Sequence, residues 1–142
     1  MVSAESLAIP LPVAEAMIAH ARDEVPNEAC GLVSGSLAEG RATRYHPARN
    51  ADQSPYVYTV DPEDLVRIVF GIEDYGEDLV TIFHSHTHTP AEPSPTDRRQ
   101  AHYPDVFYVL VTLSDPDAVP ADALRAWRIT DGESREVPLT LT

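Results

Sequence analysis

The chain has 142 residues, of which 43% are hydrophobic, so it is long enough for one soluble domain with one buried core and too short for two domains of ordinary size. Its formal net charge is −13 and all 10 of its basic residues are arginines, so its surface should repel phosphate backbones and we do not expect nucleic acid as a partner. The single cysteine, Cys30, excludes an internal disulfide and a zinc finger that needs several cysteines.

Neither a membrane segment nor a secretory signal is expected. The longest obvious apolar run, residues 106–113, is far shorter than the about 20 residues that a bilayer helix needs. Residues 1–21 contain Glu5 and Glu15 and no basic group before His20, whereas a secretory signal begins with a basic region. Together with the lone cysteine, this predicts a cytoplasmic protein.

The first half of the chain predicts two helices and three strands. Pro12 suits the first turn of a helix with apolar residues at helical spacing, and Pro26 closes that helix. An apolar segment then predicts a buried strand, which a turn at Gly40 joins to a hairpin partner. Asp61 and Pro62 suit the cap and the first turn of the second helix. The predicted elements are a helix over 12–24, strands over 29–37, 41–48 and 56–60, and a helix over 61–75.

The second half predicts mainly strands. An apolar strand runs directly into a histidine-rich loop, and a second apolar run follows a short helix. The dipeptide Asp131-Gly132 predicts the turn of a closing hairpin. The predicted elements are strands over 79–84 and 106–113, a loop over 85–95, a helix over 96–102, and hairpin strands over 124–130 and 136–141. The sum is an α/β mixture in which strands outnumber helices.

Three potential metal ligands flank the histidine-rich loop. His84 and His86 lie two residues apart at a strand end, so their side chains should point to the same side. Asp97 returns at the start of the next helix and can supply an oxygen. Two imidazoles and one carboxylate leave a fourth tetrahedral position open, which is typical of a catalytic zinc site rather than a structural one. Iron, cobalt or manganese would also accept these ligands.

The same residues carry a family resemblance. The pattern His84-x-His86, seven residues, Ser94-x-x-Asp97 resembles the signature of the JAMM (MPN-plus) metallopeptidases position by position. That family places a glutamate just after its first helix, and Glu28 stands at the matching place. The resemblance covers most of the chain and is greatest to small bacterial members. Some of these resemble a peptidase that removes cysteine from the C-terminus of a small ubiquitin-like sulfur-carrier protein.

The resemblance implies a fold and a set of residue roles. The fold would be a single cytidine-deaminase-like (MPN) domain over residues 1–142, with a central, curved, mostly antiparallel sheet flanked by helices. His84, His86 and Asp97 would hold one zinc ion per chain, and Glu28 would act as general base and acid on a zinc-activated water. Ser94 would donate a hydrogen bond to the tetrahedral oxyanion, a contribution of about 2.7–4 kcal/mol to the barrier in known cases.

The implied function is hydrolysis of an amide bond at the C-terminal Gly-Gly end of a ubiquitin-like or sulfur-carrier protein, for example to release cysteine. Two other functions remain open: a non-catalytic MPN-type scaffold, and a zinc amidase that acts on small molecules. Metal content together with activity would distinguish the scaffold, and a comparison of carrier proteins with small amides would distinguish the amidase.

Several site residues have a structural interpretation beside the catalytic one. Asp97 and Ser94 could simply cap the helix that follows Pro95. Glu24 is a neighbouring candidate for the role of Glu28, but it lies in the predicted helix and should be solvated.

Two further residues invite a chemical role that we do not assign. His88 lies inside the loop, where a surface position is expected. Cys30 is expected to be an inert packing residue on an apolar strand.

Overall fold

The computed structural model describes residues 4–142; residues 1–3, the start of the segment considered above for a secretory signal, lie outside them. Within the described residues, no helix combines the length and the apolarity needed to cross a membrane. The elements in chain order are β1 (Leu7–Ile9), α1 (Leu11–Glu24), β2 (Cys30–Ser36), β3 (Arg41–Ala48), α2 (Pro62–Asp74), β4 (Asp78–His86), α3 (Pro95–Arg99), β5 (Phe107–Thr112), α4 (Pro120–Ala123), β6 (Leu124–Thr130), β7 (Glu133–Val137) and β8 (Leu139–Leu141).

The strands form one eight-stranded sheet in the order β7-β6-β5-β4-β2-β3-β1-β8. Four of the strand pairs are antiparallel, and three are parallel: β1 with β3, β1 with β8, and β4 with β5. The sheet is curved and nearly closed, with helices beside it, and the expected mixed α/β class with a mostly antiparallel sheet is confirmed.

Both faces of the central strands are buried, which explains their nearly continuous apolar sequence. Helix α1 packs on one face through Met17 and Ala21, in the same apolar cluster as Phe83 of β4. Helix α2 packs on the other through Ile68 and Ile72, with neighbours from β2, β4 and β5. The middle strand β4 is therefore fixed from both sides, and its C-terminal end carries the candidate ligands.

Strand β4 is longer than the sequence predicts. It continues through Ser85 to His86, because Ser85 N–H donates to the Ala29 carbonyl and Leu113 N–H donates to the His86 carbonyl. The predicted loop over 85–95 therefore begins later, and the ladder itself fixes the backbone of both histidines. Helix α3 in turn starts at Pro95 and ends at Arg99, shorter than the predicted 96–102.

The predicted strand over 56–60 is wrong. Within the described residues, this segment has only an isolated bridge, between Val60 and Asn50. The Asn50 side chain takes the place of a neighbouring strand: its Oδ1 accepts from Thr59 N–H at 3.0 Å, and its Nδ2 donates to the Val57 carbonyl at 3.1 Å. Side-chain hydrogen bonds of this kind compete with a regular ladder and leave no periodic signal in the sequence.

The closing hairpin is correct at its turn and wrong in its second strand. Asp131 and Gly132 both have positive φ, 53° and 79°, as a tight turn between twisted strands requires. The predicted partner over 136–141 is split at Pro138, which has no N–H for a ladder. The residues before Pro138 belong to β7, which pairs with β6. The residues after it form β8, which pairs instead with β1, a strand that the sequence analysis did not predict.

Candidate active site

The end of β4 and the first turn of α3 bring the three candidate ligands together. His84 Nε2 lies 3.0 Å and His86 Nε2 lies 3.1 Å from the same atom, Oδ2 of Asp97. All three residues are buried, with exposed fractions of 0%, 4% and 7%. They form a group whose ligand atoms all lie within 4.8 Å of one another, so it could hold a metal ion. The side chains of His84 and His86 point to the same side of the sheet, as their spacing predicts.

Electrostatics favour an ionised aspartate beside the histidines. Burial by itself raises the pKa of Asp97, but hydrogen bonds from His84 and His86 outweigh it and hold this pKa well below its ordinary value. Burial lowers the pKa of His84 despite its contact with Asp97. The pKa of His86 is raised, because hydrogen bonds with Asp97 and the Pro90 carbonyl outweigh burial. A negative carboxylate between two imidazoles is a suitable donor set for a divalent cation.

The two imidazoles are oriented by different means. His86 Nδ1 lies 2.7 Å from the Pro90 carbonyl, which can only accept, so Nδ1 carries a proton and Nε2 is the nitrogen that faces Asp97. His84 stacks on Tyr58, with ring centroids 4.2 Å apart and an angle of 17° between the rings. Its Nδ1 has no hydrogen-bond partner among the described residues, so this stacking and the contact of Nε2 with Asp97 set its orientation.

Asp97 is positioned by the cap of α3. Ser94 Oγ accepts from Asp97 N–H at 3.0 Å, and Ser94 N–H donates to Asp97 Oδ2 at 2.9 Å. This reciprocal pair is a capping box, which satisfies two backbone donors at the helix start. Ser94 is therefore the cap of α3, and the same bonds fix the carboxylate that faces the histidines.

Glu28 lies just before β2 and is held in place by its backbone. Its N–H donates to the Ser54 carbonyl at 2.8 Å, and its carbonyl accepts from Asn50 Nδ2 at 3.0 Å. The next residue, Ala29, donates its N–H to Ser85 Oγ at 2.8 Å. Ser85 stands between the two histidines, so this bond ties the Glu28 segment directly to the ligand strand.

The Glu28 carboxyl group is buried without compensation. It is only 3% exposed, and its Oε1 has no hydrogen-bond partner among the described residues. Burial raises the pKa of Glu28 to about 8; His86 opposes this shift and Asp97 adds to it. The influence of both residues on this pKa places the carboxyl group in the electrostatic field of the ligand group. A buried, unpartnered carboxyl group beside potential metal ligands is a candidate for proton transfer.

The competing residues lie elsewhere. The side chain of Glu24 is 47% exposed and lies 3.7 Å from His20 on the same helix. His88 is exposed, as expected. Cys30 is fully buried, and burial raises the pKa of its thiol to about 12, which agrees with inert packing.

Two contributors to the site had no signal in the sequence analysis. Tyr58 covers the face of His84 and also lines a cavity of about 380 Å³ between α2, β4 and β5. The Pro90 carbonyl orients His86, and a backbone group can be assigned such a role only when the path of the loop is known. The two histidines imply only that partners of this kind exist, because a metal-ligating histidine usually has a hydrogen-bond partner at its other ring nitrogen.

Comparison with known proteins identifies the family. The family described as prokaryotic homologs of the JAB domain matches residues 10–130. A relative from Mycobacterium tuberculosis named CysO-cysteine peptidase is 41% identical over 135 residues, covering 95% of this chain and 90% of its own. A desampylase from Haloferax volcanii is 32% identical, covering 89% of this chain and 90% of its own. A probable TtuB-protein conjugate cleaving protease from Thermus thermophilus is 30% identical, with coverage of 89% and 78%.

Solved structures agree with this result. A protein from Desulfitobacterium hafniense superposes with a TM-score of 0.86 at 32% identity, covering 96% of this chain and 92% of its own. A JAB1/MPN domain protein from Archaeoglobus fulgidus shares the fold, with a TM-score of 0.59 at 16% identity over 94% of this chain and 99% of its own. The peptidase names among the relatives support a hydrolase of the peptidase class. The chain belongs to the family of prokaryotic JAB-domain (MPN) proteins, as its histidine–serine–aspartate motif indicates.

Proposed function

We propose that this chain is a single-domain, zinc-dependent peptidase that hydrolyses an amide bond at the C-terminal Gly-Gly end of a small ubiquitin-like sulfur-carrier protein. The observation that supports it best is the convergence of His84 Nε2 and His86 Nε2 on Asp97 Oδ2, at 3.0 and 3.1 Å. Ligand atoms of a tetrahedral zinc ion stand about 3.3–3.5 Å apart. A small outward movement of the three side chains would therefore admit the ion.

The proposed roles follow from the position of each group. A zinc ion bound to the three ligands would lower the pKa of a water molecule and polarise the scissile carbonyl. Glu28 is the group that would take a proton from the attacking water and later give one to the leaving amine. Its burial and its pKa of about 8 suit a group that exchanges a proton near neutral pH.

Ser94 is the proposed donor to the oxyanion. Its Oγ already accepts from Asp97 N–H at 3.0 Å, which leaves the hydroxyl proton free. The capping box fixes the serine rotamer before substrate arrives, so the donor needs no reorganisation during the reaction. In this proposal the structural cap and the catalytic donor are the same side chain.

The substrate class is supported by the names of the relatives and by charge. One name refers to a CysO-cysteine peptidase and another to cleavage of TtuB-protein conjugates, and both point to an adduct on a carrier protein rather than to a small amide. The net charge of −13 favours a carrier that presents a basic face around its tail. We infer release of a single amino acid, such as cysteine, or of a protein joined through a lysine side chain.

Mass spectrometry of defined carrier substrates tests the proposal. Ubiquitin-like carriers that end in Gly-Gly are prepared with a C-terminal cysteine or with a lysine-linked peptide, and they are compared with small acyl-cysteine amides. The zinc-loaded protein should release the adduct from at least one carrier, and Glu28→Gln should bind zinc and release nothing. Cleavage of the small amides alone would favour the amidase, and a lack of both zinc binding and cleavage would favour the scaffold.

A further inference from the structure

Two side chains on the neighbouring strands β5 and β6 anchor residues 87–93, which we call the motif loop. Trp127 on β6 donates its indole N–H to the Ala91 carbonyl at 3.0 Å, and this contact is buried. Thr112, the last residue of β5, donates its hydroxyl proton to the Thr89 carbonyl at 2.6 Å. The motif loop is thus bound at two carbonyl groups, one on each side of Pro90.

A third contact to the motif loop is weaker. Arg125 pairs with Glu92 at 2.9 Å, but the two side chains are 33% and 59% exposed. Exposed ion pairs contribute about 0–1 kcal/mol. Arg125 also binds Glu136 through two further nitrogen atoms, so it would stay in place without Glu92. The two hydrogen bonds from Trp127 and Thr112 are therefore the main anchors.

Between the anchored carbonyls lies the group that orients a candidate ligand. The Pro90 carbonyl accepts from His86 Nδ1 at 2.7 Å and from Glu92 N–H at 2.8 Å. The proline ring fixes φ of Pro90, so the direction of its carbonyl depends on the peptide units at Thr89 and Ala91. These are the two residues that Thr112 and Trp127 hold.

The direction of that carbonyl has a chemical consequence for His86. The hydrogen bond at Nδ1 fixes the plane of the ring, so that Nε2 is directed at Asp97 Oδ2, 3.1 Å away. If the carbonyl turned away, the ring could rotate and Nε2 would lose its alignment with Asp97. His84 Nδ1 lacks such a partner among the described residues, so of the two rings His86 is the one that a hydrogen bond at Nδ1 orients.

We propose that Thr112 and Trp127 are positioning residues for the metal site: by anchoring the motif loop they fix the Pro90 carbonyl, and that carbonyl holds the His86 ring in the orientation in which Nε2 can bind metal. The inference deepens the proposed function and rests on its assignment of His86 as a ligand. Thr112 is the neighbour of His86 in the β4–β5 pair, but the hydroxyl group that anchors the motif loop takes no part in that backbone pairing, and Trp127 has no described contact with the ligand group. The effect of both side chains therefore passes through the motif loop.

Paired substitutions at Thr112 test the inference. Thr112→Val keeps the shape and the strand preference of the side chain but removes the hydroxyl donor, whereas Thr112→Ser keeps the donor. Removing a partner of a ligating histidine weakens metal binding by about 10–100-fold. We expect Thr112→Val to raise the zinc dissociation constant, measured by competition with a chromogenic chelator, by about 10-fold. Thr112→Ser should remain close to the wild type.

The hydrogen bond at His86 Nδ1 can be observed without metal. ¹⁵N–¹H correlation spectra of the zinc-free wild type should show a ring proton on His86 Nδ1 that is protected from exchange with water, because the Pro90 carbonyl holds it. Thr112→Val and Trp127→Phe, which keeps the aromatic packing and removes the indole N–H, should speed the exchange of this proton. A contribution to stability elsewhere in the fold would not change the exchange at this one ring.

Thr43→Val is the matched control. Thr43 on β3 also donates a hydroxyl hydrogen bond of 2.6 Å, to Glu77, and it touches no part of the motif loop in the described contacts. Zinc affinity and exchange of the His86 Nδ1 proton should be unchanged in this variant. The inference is overturned if Thr43→Val weakens zinc binding as much as Thr112→Val does, or if both anchor variants keep the wild-type exchange of that proton. If the wild type binds no zinc, the proposed function fails, while the spectra of the zinc-free protein still decide the inference.

Discussion

Replacing Glu28 with glutamine should stabilise the zinc-free protein at alkaline pH and change it little at acidic pH. The Glu28 carboxyl group is 3% exposed, and its Oε1 has no hydrogen-bond partner among the described residues. Burial raises the pKa of Glu28 from 4.5 to about 8. His86 lowers this pKa and Asp97 raises it, and both contributions are smaller than that of burial. Ionisation within the fold is therefore costly, and glutamine has the same shape without the charge.

The sign of the effect follows from proton binding. The folded protein holds the Glu28 proton more tightly than the unfolded chain, so this group favours folding fully below pH 4.5 and loses that contribution as the pH rises towards about 8. Each pKa unit corresponds to about 1.36 kcal/mol, which sets an upper limit of about 4–5 kcal/mol. Because water entering the site would reduce this value, we expect Glu28→Gln to gain about 2–4 kcal/mol over the wild type between about pH 5 and about pH 8.5.

Urea unfolding with excess chelator measures this difference, with the single tryptophan, Trp127, as the fluorescent probe. Glu24→Gln is the control, since the Glu24 side chain is 47% exposed and water already solvates its charge. The free energy of unfolding of Glu24→Gln should change with pH as that of the wild type does between about pH 5 and about pH 8.5. If Glu28→Gln also follows the wild type, the Glu28 carboxylate is solvated in the fold and the argument from its burial is refuted.

Three further outcomes are expected. With zinc restored, Glu28→Gln should lower kcat/KM on a cleavable carrier by about 10²–10⁴-fold because an amide does not accept the proton as a carboxylate does, while zinc content measured by mass spectrometry stays the same. Full activity would exclude Glu28 as the base. Ser94→Ala should lower the free energy of unfolding by about 1 kcal/mol through loss of the α3 cap and slow hydrolysis by about 10²–10³-fold. An unchanged rate would limit Ser94 to the cap. Phe83→Ala should lower the free energy of unfolding by about 3–5 kcal/mol, because Phe83 is fully buried at the centre of the sheet; a loss below about 1 kcal/mol in urea titration would contradict its place in the core.

Local patterns in the sequence predict most of the fold. The long apolar strands, both major helices and the Asp131-Gly132 turn have signals within a few residues of one another, and they lie where those signals indicate. The elements that the sequence does not predict correctly depend on hydrogen bonds to residues that are distant in the sequence or on side chains. Strand β1 has only three residues and depends on β3 and β8 for its hydrogen bonds. The segment over 56–60 is held by the Asn50 side chain, which no periodicity reveals.

In the candidate site, too, the features with a local signal are predicted and those that depend on distant parts of the chain are not. His84 and His86 are brought to one side by the two-residue period of a strand, and Asp97 by the short distance along the chain, so spacing alone predicts the group. The stacking of Tyr58 on His84 could not be predicted, because it depends on the path of an irregular segment. The hydrogen bond from Trp127 to the motif loop joins residues 36 positions apart and depends on the order of strands in the sheet.

The most direct test of the account is the metal content of the protein purified without added metal, measured by mass spectrometry for the wild type, His86→Ala and His88→Ala. His88 is an exposed histidine two residues from His86, so it controls for nonspecific binding to the loop. The account predicts about one zinc ion per chain in the wild type and in His88→Ala, as for a single site with two histidine ligands and one carboxylate. It predicts loss of that zinc in His86→Ala. A wild type that binds no metal even when zinc is supplied, or a His86→Ala variant that keeps its zinc, would contradict the central claim.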